Sequence, residues 1–149
     1  MADMSKIGKE YPAVIWEVER GKIREMATAI GDSNLIFRDK AAAVKEGYKD
    51  TPITPTYLTV PAMGGGNMLT LVGDLGINFA MVLHGEEEYE FLGDIYPGDV
   101  ITGKCRIVNI EEKTTKKGSK MDLVTTEVLY KNQRGEDVAR ARTVIVERK

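Results

Sequence analysis

The sequence is poor in the side chains that build metal and redox sites. Its 149 residues include one cysteine and one histidine. A single cysteine cannot form an internal disulfide, and one residue of each type cannot supply the four ligands of a structural Cys/His zinc site. We therefore expect no metal and no disulfide. Cys105 alternates with Ile101 and Ile107 in an apparent strand, so we predict a core thiol and not a nucleophile.

The sequence also lacks a charge excess and a long apolar run. Lysine and arginine number 21 against 23 aspartates and glutamates, which leaves a formal charge of −2. A nucleic-acid-binding surface needs surplus cations to neutralise phosphates, so we expect no nucleic-acid partner. The N-terminal MADMSKIGKEYP has no apolar signal-peptide core, and nowhere do about 20 apolar residues follow one another. We expect a soluble, cytoplasmic protein with no membrane segment.

What is present predicts one globular domain over residues 1–149. Hydrophobic residues make up 42% of a chain that is long enough to bury its own core. Residues 13–19 are rich in β-branched and aromatic side chains and predict a short strand. A helix ending at Gly31 is predicted by apolar residues at helical spacing, namely Ile23, Met26, Ala27 and Ile30. Asp39 as N-cap and Gly47 as C-cap bound a second helix of about two turns.

A third, central helix is predicted to follow. Thr54 is expected to be its N-cap, with Pro55 at the first helical position, where a missing N–H costs nothing. Pro61 is expected to kink or end its first section, because its ring collides with the carbonyl four residues back. The glycines at 64–66 lack the downstream Gly-Lys-Ser/Thr of a phosphate loop and do not follow a strand, so we expect a flexible break there.

From residue 80 the apolar spacing becomes strand-like. Strands are predicted over 80–91, 99–112, 121–131 and 137–148, separated by segments of turn composition. One strand, then helices, then four long strands indicates an α+β fold with an antiparallel sheet of about five strands. A single long helix covers only one face of such a sheet. Its other face and its edges need partners, so we expect a dimer at least.

Two positions could carry acid–base chemistry. Asp32 follows a helix and a glycine in a loop that can aim its carboxylate, although an Asx-type turn in GDSN explains it equally well. His84 is the only histidine, and a local hydrogen bond in its strand is the plainer interpretation. Because side chains alternate along a strand, we expect Glu86 and Glu88 on the face of His84 and Glu87 on the opposite face. An exposed acidic strand face explains these glutamates without any site.

The run MATAIGDSNLIFRDKAAA resembles the MaoC-like (R)-specific hydratase and dehydratase family. That family has a helix, then Gly-Asp-x-Asn-Pro-Ile/Leu-His-x-Asp, then an alanine-rich helix. The positions that match are Gly31, Asp32, Asn34, Ile36 and Asp39. Leu35 replaces the proline and Phe37 replaces the histidine. The loop is kept, and its base is gone.

Further segments carry the same resemblance, over about residues 15–148. TPITPTYLTV resembles the start of the family's central helix, and LHGEEEYEFLGDIYPGDVITGKCRIV resembles its strand and the following turn. Within the family the chain looks most like FAS1-type dehydratase N-terminal domains and the dyad-lacking subunit of heterodimeric (3R)-hydroxyacyl-ACP dehydratases. The resemblance implies a hotdog fold, a sheet wrapped around the central helix and paired with a second hotdog, homo- or heterodimeric.

The resemblance also implies a substrate and a site. The substrate class is an acyl-CoA or acyl-carrier-protein thioester, and the reaction interconverts 3-hydroxyacyl and trans-2-enoyl thioesters without a cofactor. The acyl chain would lie in a tunnel near the dimer interface, with the thioester carbonyl facing N–H groups at the start of the central helix. The substrate-binding residues implied are Asn34, Phe37, Thr54, Thr56 and Gly85.

Three interpretations stay open at this point. In the first, the chain is an acyl-binding subunit whose catalytic dyad comes from another polypeptide, since phenylalanine cannot transfer a proton. In the second, it is an active homodimer in which His84 replaces the lost base, with Asp32 or a nearby glutamate. In the third, it binds acyl-CoA without chemistry. Thioesterases share the hotdog fold but usually carry an aspartate or glutamate on the central helix. The segment TPTYLTVPAMGGGNML contains no acidic residue, so a thioesterase is disfavoured.

Overall fold

The computed structural model describes residues 2–64, 67–116 and 118–149. In chain order its elements are β1 (Val14–Glu17), α1 (Arg20–Ala29), α2 (Lys40–Lys45), α3 (Thr59–Gly64), α4 (Asn67–Asp74), β2 (Val82–Phe91), β3 (Val100–Thr114), β4 (Lys120–Lys131) and β5 (Asp137–Arg148). The five strands form one antiparallel sheet in the order β1-β3-β4-β5-β2. The predicted α+β class and its antiparallel sheet are confirmed.

The two faces of the sheet differ in chemistry. On the inner face, residues such as Val124, Ala141 and Ile145 are buried. On the outer face, ion pairs join neighbouring strands, for example Arg106 Nη2 to Glu127 Oε1 at 2.8 Å. Exposed pairs of this kind contribute little to stability, because solvent screens them. The apolar inner face therefore holds the domain together.

The core divides into two clusters along the inner face. One lies under α1 and the approach to α3, around Ile23, Tyr57 and Tyr130. The other lies under α4, around Leu71 and Ile107. No helix in the described part of the chain is long and apolar enough to cross a bilayer.

The start of the central helical region differs from the prediction. Residues 55–58 form turns, with the Tyr57 N–H donating to the Thr54 carbonyl at 3.0 Å, and α3 begins only at Thr59. Had the helix begun at Pro55, the ring of Pro61 would have met a carbonyl of the preceding turn. Starting at Thr59 places Pro61 in the first turn, where no such carbonyl bond exists. The predicted N-cap at Thr54 and the predicted break at Pro61 are both wrong.

The second helix and the glycine run have different outcomes. Asp39 Oδ1 accepts a hydrogen bond from the Ala42 N–H at 2.7 Å, and Gly47 follows the helix with a φ of +94°. Both predicted caps of α2 are confirmed. Gly64 ends α3, while residues 65–66 lie outside the described residues, so the expected flexible break stays a prediction.

Candidate functional site

The loop that carries Asp32 is shaped by the end of α1. Gly31 has a φ of +73°, and the Asp32 N–H donates to the Ala27 carbonyl at 2.8 Å. A glycine in this left-handed conformation closes the helix and turns the chain sharply. Asp32 Oδ1 accepts from the Asn34 N–H at 2.8 Å, and the Arg38 guanidinium donates to the Asp32 carbonyl at 2.6 Å. The half-buried Asp32 thus forms the Asx-type turn that GDSN predicted.

Asn34 serves the loop in the same way. Its side-chain oxygen accepts from the Ile36 N–H at 3.1 Å and caps the short 3-10 turn Leu35–Phe37. Asp39, five residues after Asn34, caps α2. Asp32, Asn34 and Asp39 therefore each satisfy backbone N–H groups that no helix could satisfy. These interactions give the loop its form without any contribution from a histidine.

Phe37 places an apolar ring in the loop, at the position where the motif that the loop resembles has a histidine. The residue is 8% exposed and belongs to the core cluster around Tyr57. It also lines a hollow of about 200 Å³, together with Tyr48, Pro55 and Phe91. Nothing in the Phe37 side chain can accept or donate a proton, so the loop frame is retained without a general base.

The two threonines before α3 lie in different environments. Thr54 is fully buried, and its hydroxyl has no hydrogen-bond partner among the described residues. Thr56 is exposed, and its carbonyl accepts a hydrogen bond from the Thr59 hydroxyl. A buried hydroxyl without a partner is costly, so Thr54 is the more informative of the two. Their substrate-binding roles stay predictions.

His84 faces a glutamate that the sequence pattern placed on the other side. The pairing of β2 with β5 slips between His84 and Glu86, which leaves Gly85 as the extra residue of a β-bulge. His84 Nε2 lies 3.0 Å from Glu87 Oε2. The expectation that His84 shares a face with Glu86 and Glu88 is therefore wrong. One inserted residue reverses the alternation of all side chains that follow it.

The bulge depends on the missing side chain of Gly85. A Cβ there would lie 2.9 Å from Val146 Cγ2 and 3.0 Å from the Val144 carbonyl oxygen. Backbone does not yield at such distances, so alanine would force the strands apart. The substrate-binding role expected of Gly85 is untested, but its part in aiming His84 is visible. A glycine inside a strand pattern is the signal that could have predicted this bulge.

The structure does not bring Asp32 and His84 together within one chain. Asp32 bonds within its own loop, whereas His84 bonds to Glu87. Phe91, at the other end of β2, shares a hollow with Phe37 of the loop. At ~3.3 Å per residue, the strand from His84 to Phe91 spans roughly 20 Å. The motif loop and the histidine therefore lie at opposite ends of the edge strand.

An apolar cavity of about 70 Å³ lies between the helices and the sheet. Residues from both core clusters line it, including Met68, Leu71, Val128, Tyr130 and Ile145, and Ala62 of α3 lines it as well. Cys105 lines it too, and burial raises the pKa of its thiol to about 11, opposed by the Thr126 hydroxyl. The predicted core thiol is confirmed. Among the described residues, no cluster of His, Cys, Asp or Glu could hold a metal ion.

His84 and Glu87 are not among the residues that line this cavity, but each pairs across the strands with a residue that does. Ile145 pairs with His84 across the strands, Thr143 pairs with Glu87, and both Ile145 and Thr143 line the cavity. Directly opposite side chains in an antiparallel pair have Cβ atoms about 5 Å apart. The arrangement thus places a carboxylate and an imidazole one strand away from the apolar cavity, which sequence reasoning did not find.

Comparison with known proteins gives a consistent result. The model of the FAS1-like, dehydratase domain region matches residues 5–141. A UPF0336 protein of Saccharopolyspora erythraea is 32% identical over 147 residues, 98% of this chain and 91% of the relative. A chain of the truncated HadBC (3R-hydroxyacyl-ACP dehydratase) complex from Mycobacterium tuberculosis superposes with a TM-score of 0.78 at 24% identity, covering 95% of this chain and 96% of that one. A MaoC-like dehydratase gives 0.81 at 26%, over 96% of this chain and 42% of its own. The curled five-stranded sheet is the hotdog fold of these proteins.

Proposed function

This chain belongs to the family of the FAS1-like dehydratase domain region, and we propose that it is the acyl-thioester-binding subunit of an (R)-specific hydratase or dehydratase. Its reaction would interconvert 3-hydroxyacyl and trans-2-enoyl thioesters. The catalytic aspartate and histidine would come from a second hotdog subunit. Three features support this proposal: the altered loop, the apolar cavity and the open sheet edge.

The observation that carries the proposal is the buried Phe37 inside a loop whose capping hydrogen bonds are all formed. Asp32, Asn34 and Asp39 keep their hydrogen bonds, so the loop retains its shape. General acid–base catalysis is typically worth about 10² to 10⁴ in rate, and phenylalanine supplies none of it. A chain of this kind can bind a substrate, but the acid–base groups for the reaction would have to come from another subunit.

The cavity supports the acyl-binding role. Its walls are mainly apolar side chains from α3, α4 and the inner face of the sheet. Each methylene group transferred from water into such a space contributes about 0.8 kcal/mol. An unfilled apolar cavity costs stability, which favours a preformed ligand site over a packing defect.

The edge strand β2 supports the need for a partner. It ends the sheet, and exposed apolar side chains surround it, namely Phe79, Met81, Leu83, Phe91 and Leu92. An uncovered edge with apolar flanks invites pairing with another strand. The similar HadBC structure is a complex, and we propose that this chain likewise pairs with a second hotdog subunit through β2.

The test is hydration of crotonyl-CoA, followed by loss of the enoyl-thioester absorbance. The purified chain should be silent alone, and activity should appear with a hotdog subunit that carries an intact Gly-Asp-x-Asn-Pro-x-His loop. The same partner without this chain, and a partner with its histidine removed, are the controls. Full activity of the partner by itself, unchanged when this chain is added, would contradict the proposal.

A second candidate function is favoured by the contact between His84 and Glu87. We propose as the alternative that the chain is a homodimeric hydratase in which His84 is the base and the nearby Glu87 carboxylate assists it. The 3.0 Å contact and its place one strand away from the cavity support this role. His84→Gln should then abolish hydration by the chain alone, and retained activity would remove His84 from the mechanism. If the chain binds acyl-CoA but shows no hydration activity, alone or with any partner, only the non-catalytic acyl-CoA-binding role remains.

A further inference from the structure

The hydrogen bond between His84 and Glu87 has a defined donor and a defined acceptor. The side chain of Glu87 is 21% exposed and that of His84 54% exposed. An ionised carboxylate only accepts hydrogen bonds, so the neutral imidazole must donate from Nε2. The proton then sits on Nε2, and Nδ1 carries the free lone pair. Among the described residues, no hydrogen bond to Nδ1 is found.

The surroundings hold Glu87 on the inner face. The half-buried Tyr89 is the next residue on that side of β2, and burial, with the nearby Glu87 carboxylate, raises the pKa of its hydroxyl to about 12. The Thr59 hydroxyl at the start of α3 acts in the opposite direction. Glu87 therefore lies between the exposed His84 and the half-buried Tyr89, and it interacts with both.

We propose that Glu87 is a positioning residue for His84, fixing the imidazole so that Nδ1 is presented to a thioester whose acyl chain occupies the adjacent cavity. This inference rests on the second candidate function, because it assigns His84 a role in the reaction. Gly85 contributes to the same positioning, because its bulge turns His84 onto the face of Glu87. Without the bulge the two side chains would lie on opposite faces of the strand.

The proton balance of the reaction follows from this geometry. A water proton passes to Nδ1 as the water oxygen bonds to C3 of the enoyl thioester. The C2–C3 π electrons move to the thioester carbonyl and form an enolate. The protonated imidazole then returns the same proton to C2, so one water is added and the base is restored. Dehydration is the reverse sequence, and Glu87 stabilises the imidazolium formed between the two steps.

The test determines directly which imidazole nitrogen of His84 carries the proton. Because the chain has one histidine, its ¹⁵N ring signals belong to His84 without assignment. The neutral wild-type protein should show the Nε2–H tautomer alone. Glu87→Gln should give a mixture, because an amide can either accept from Nε2 or donate to it. The matched control is Glu88→Gln, which changes the adjacent carboxylate on the outer face and should leave the tautomer unchanged.

Kinetics separate this inference from the function on which it rests. If the chain hydrates crotonyl-CoA alone, Glu87→Gln should lower kcat by about 10²-fold with KM nearly constant, while Glu88→Gln keeps both. A silent chain that still shows the Nε2–H tautomer, lost in Glu87→Gln, would end the catalytic role of His84 but support the positioning. The same tautomer mixture in wild type and Glu87→Gln would overturn the inference, whatever the activity.

Discussion

Replacing Phe37 by histidine introduces the residue that the resembling motif has at this position and tests whether the loop can serve catalysis. Phe37 is 8% exposed, and burying a phenylalanine contributes about 1.5–3 kcal/mol. Histidine is smaller and polar, so we expect Phe37→His to cost about 2–3 kcal/mol. For a chain of this length each kcal/mol lowers Tm by about 2–4 °C, which gives a fall of about 4–12 °C. Domains commonly have 5–15 kcal/mol of stability, so the variant should stay folded.

The expected gain is in crotonyl-CoA hydration. The loop holds Asp32 through its bonds to Asn34 and Arg38, so the introduced imidazole enters a formed site. Since general acid–base catalysis is worth about 10² to 10⁴, we expect the rate of Phe37→His to exceed that of wild type at least about tenfold. The assay is loss of enoyl-thioester absorbance at 25 °C, with folding checked by circular dichroism and thermal melts.

Two variants make the result interpretable. Phe37→Leu removes the ring without adding a base and should show the stability loss alone. Asp32→Asn combined with Phe37→His should abolish the gain, because the aspartate is needed beside the base. If folded Phe37→His is no faster than Phe37→Leu, the loop no longer holds Asp32 for catalysis, and the reasoning from its retained frame is wrong.

Three further predictions concern stability and reactivity. Gly103→Ala would place a Cβ 2.6 Å from the Tyr130 ring, so we expect it to lower the free energy of unfolding, measured in urea, by about 1–3 kcal/mol. Gly21→Ala in α1 has nothing within 4 Å of the new Cβ and should raise the free energy of unfolding by about 0.5–1 kcal/mol. The pKa of Asp74 is lowered to about 2 by lysine and tyrosine partners, so its contribution is present above about pH 3.8 and is lost as pH falls toward 2. Asp74→Asn should therefore be less stable than wild type at pH 6, and the difference should shrink as pH falls through 2; a difference as large at pH 2 as at pH 6 would refute this. With a thiol pKa of about 11, Cys105 should react with iodoacetamide at pH 8 roughly 10²-fold more slowly in the folded protein than in urea, and equal rates would show that the thiol is not buried.

Local chemistry made much of the fold readable from the chain. Asp39 and Gly47 mark the two ends of α2, because a carboxylate caps N–H groups and glycine accepts a positive φ. The four C-terminal strands follow from alternating apolar residues. The Asx-type turn at Asp32 also depends only on its neighbours. These features are short-range, so the sequence determines them directly.

Two features were decided by contacts that no local pattern contains. The bulge at Gly85 exists because β2 must fit against Val144 and Val146 of β5, and it moves His84 to the face of Glu87. The start of α3 at Thr59 is a compromise between Pro61 and the packing of the approach to the helix. The sequence by itself determined the family and the form of the loop. Only the tertiary structure decided which carboxylate meets the single histidine, because a one-residue shift between paired strands changes every side-chain direction beyond it.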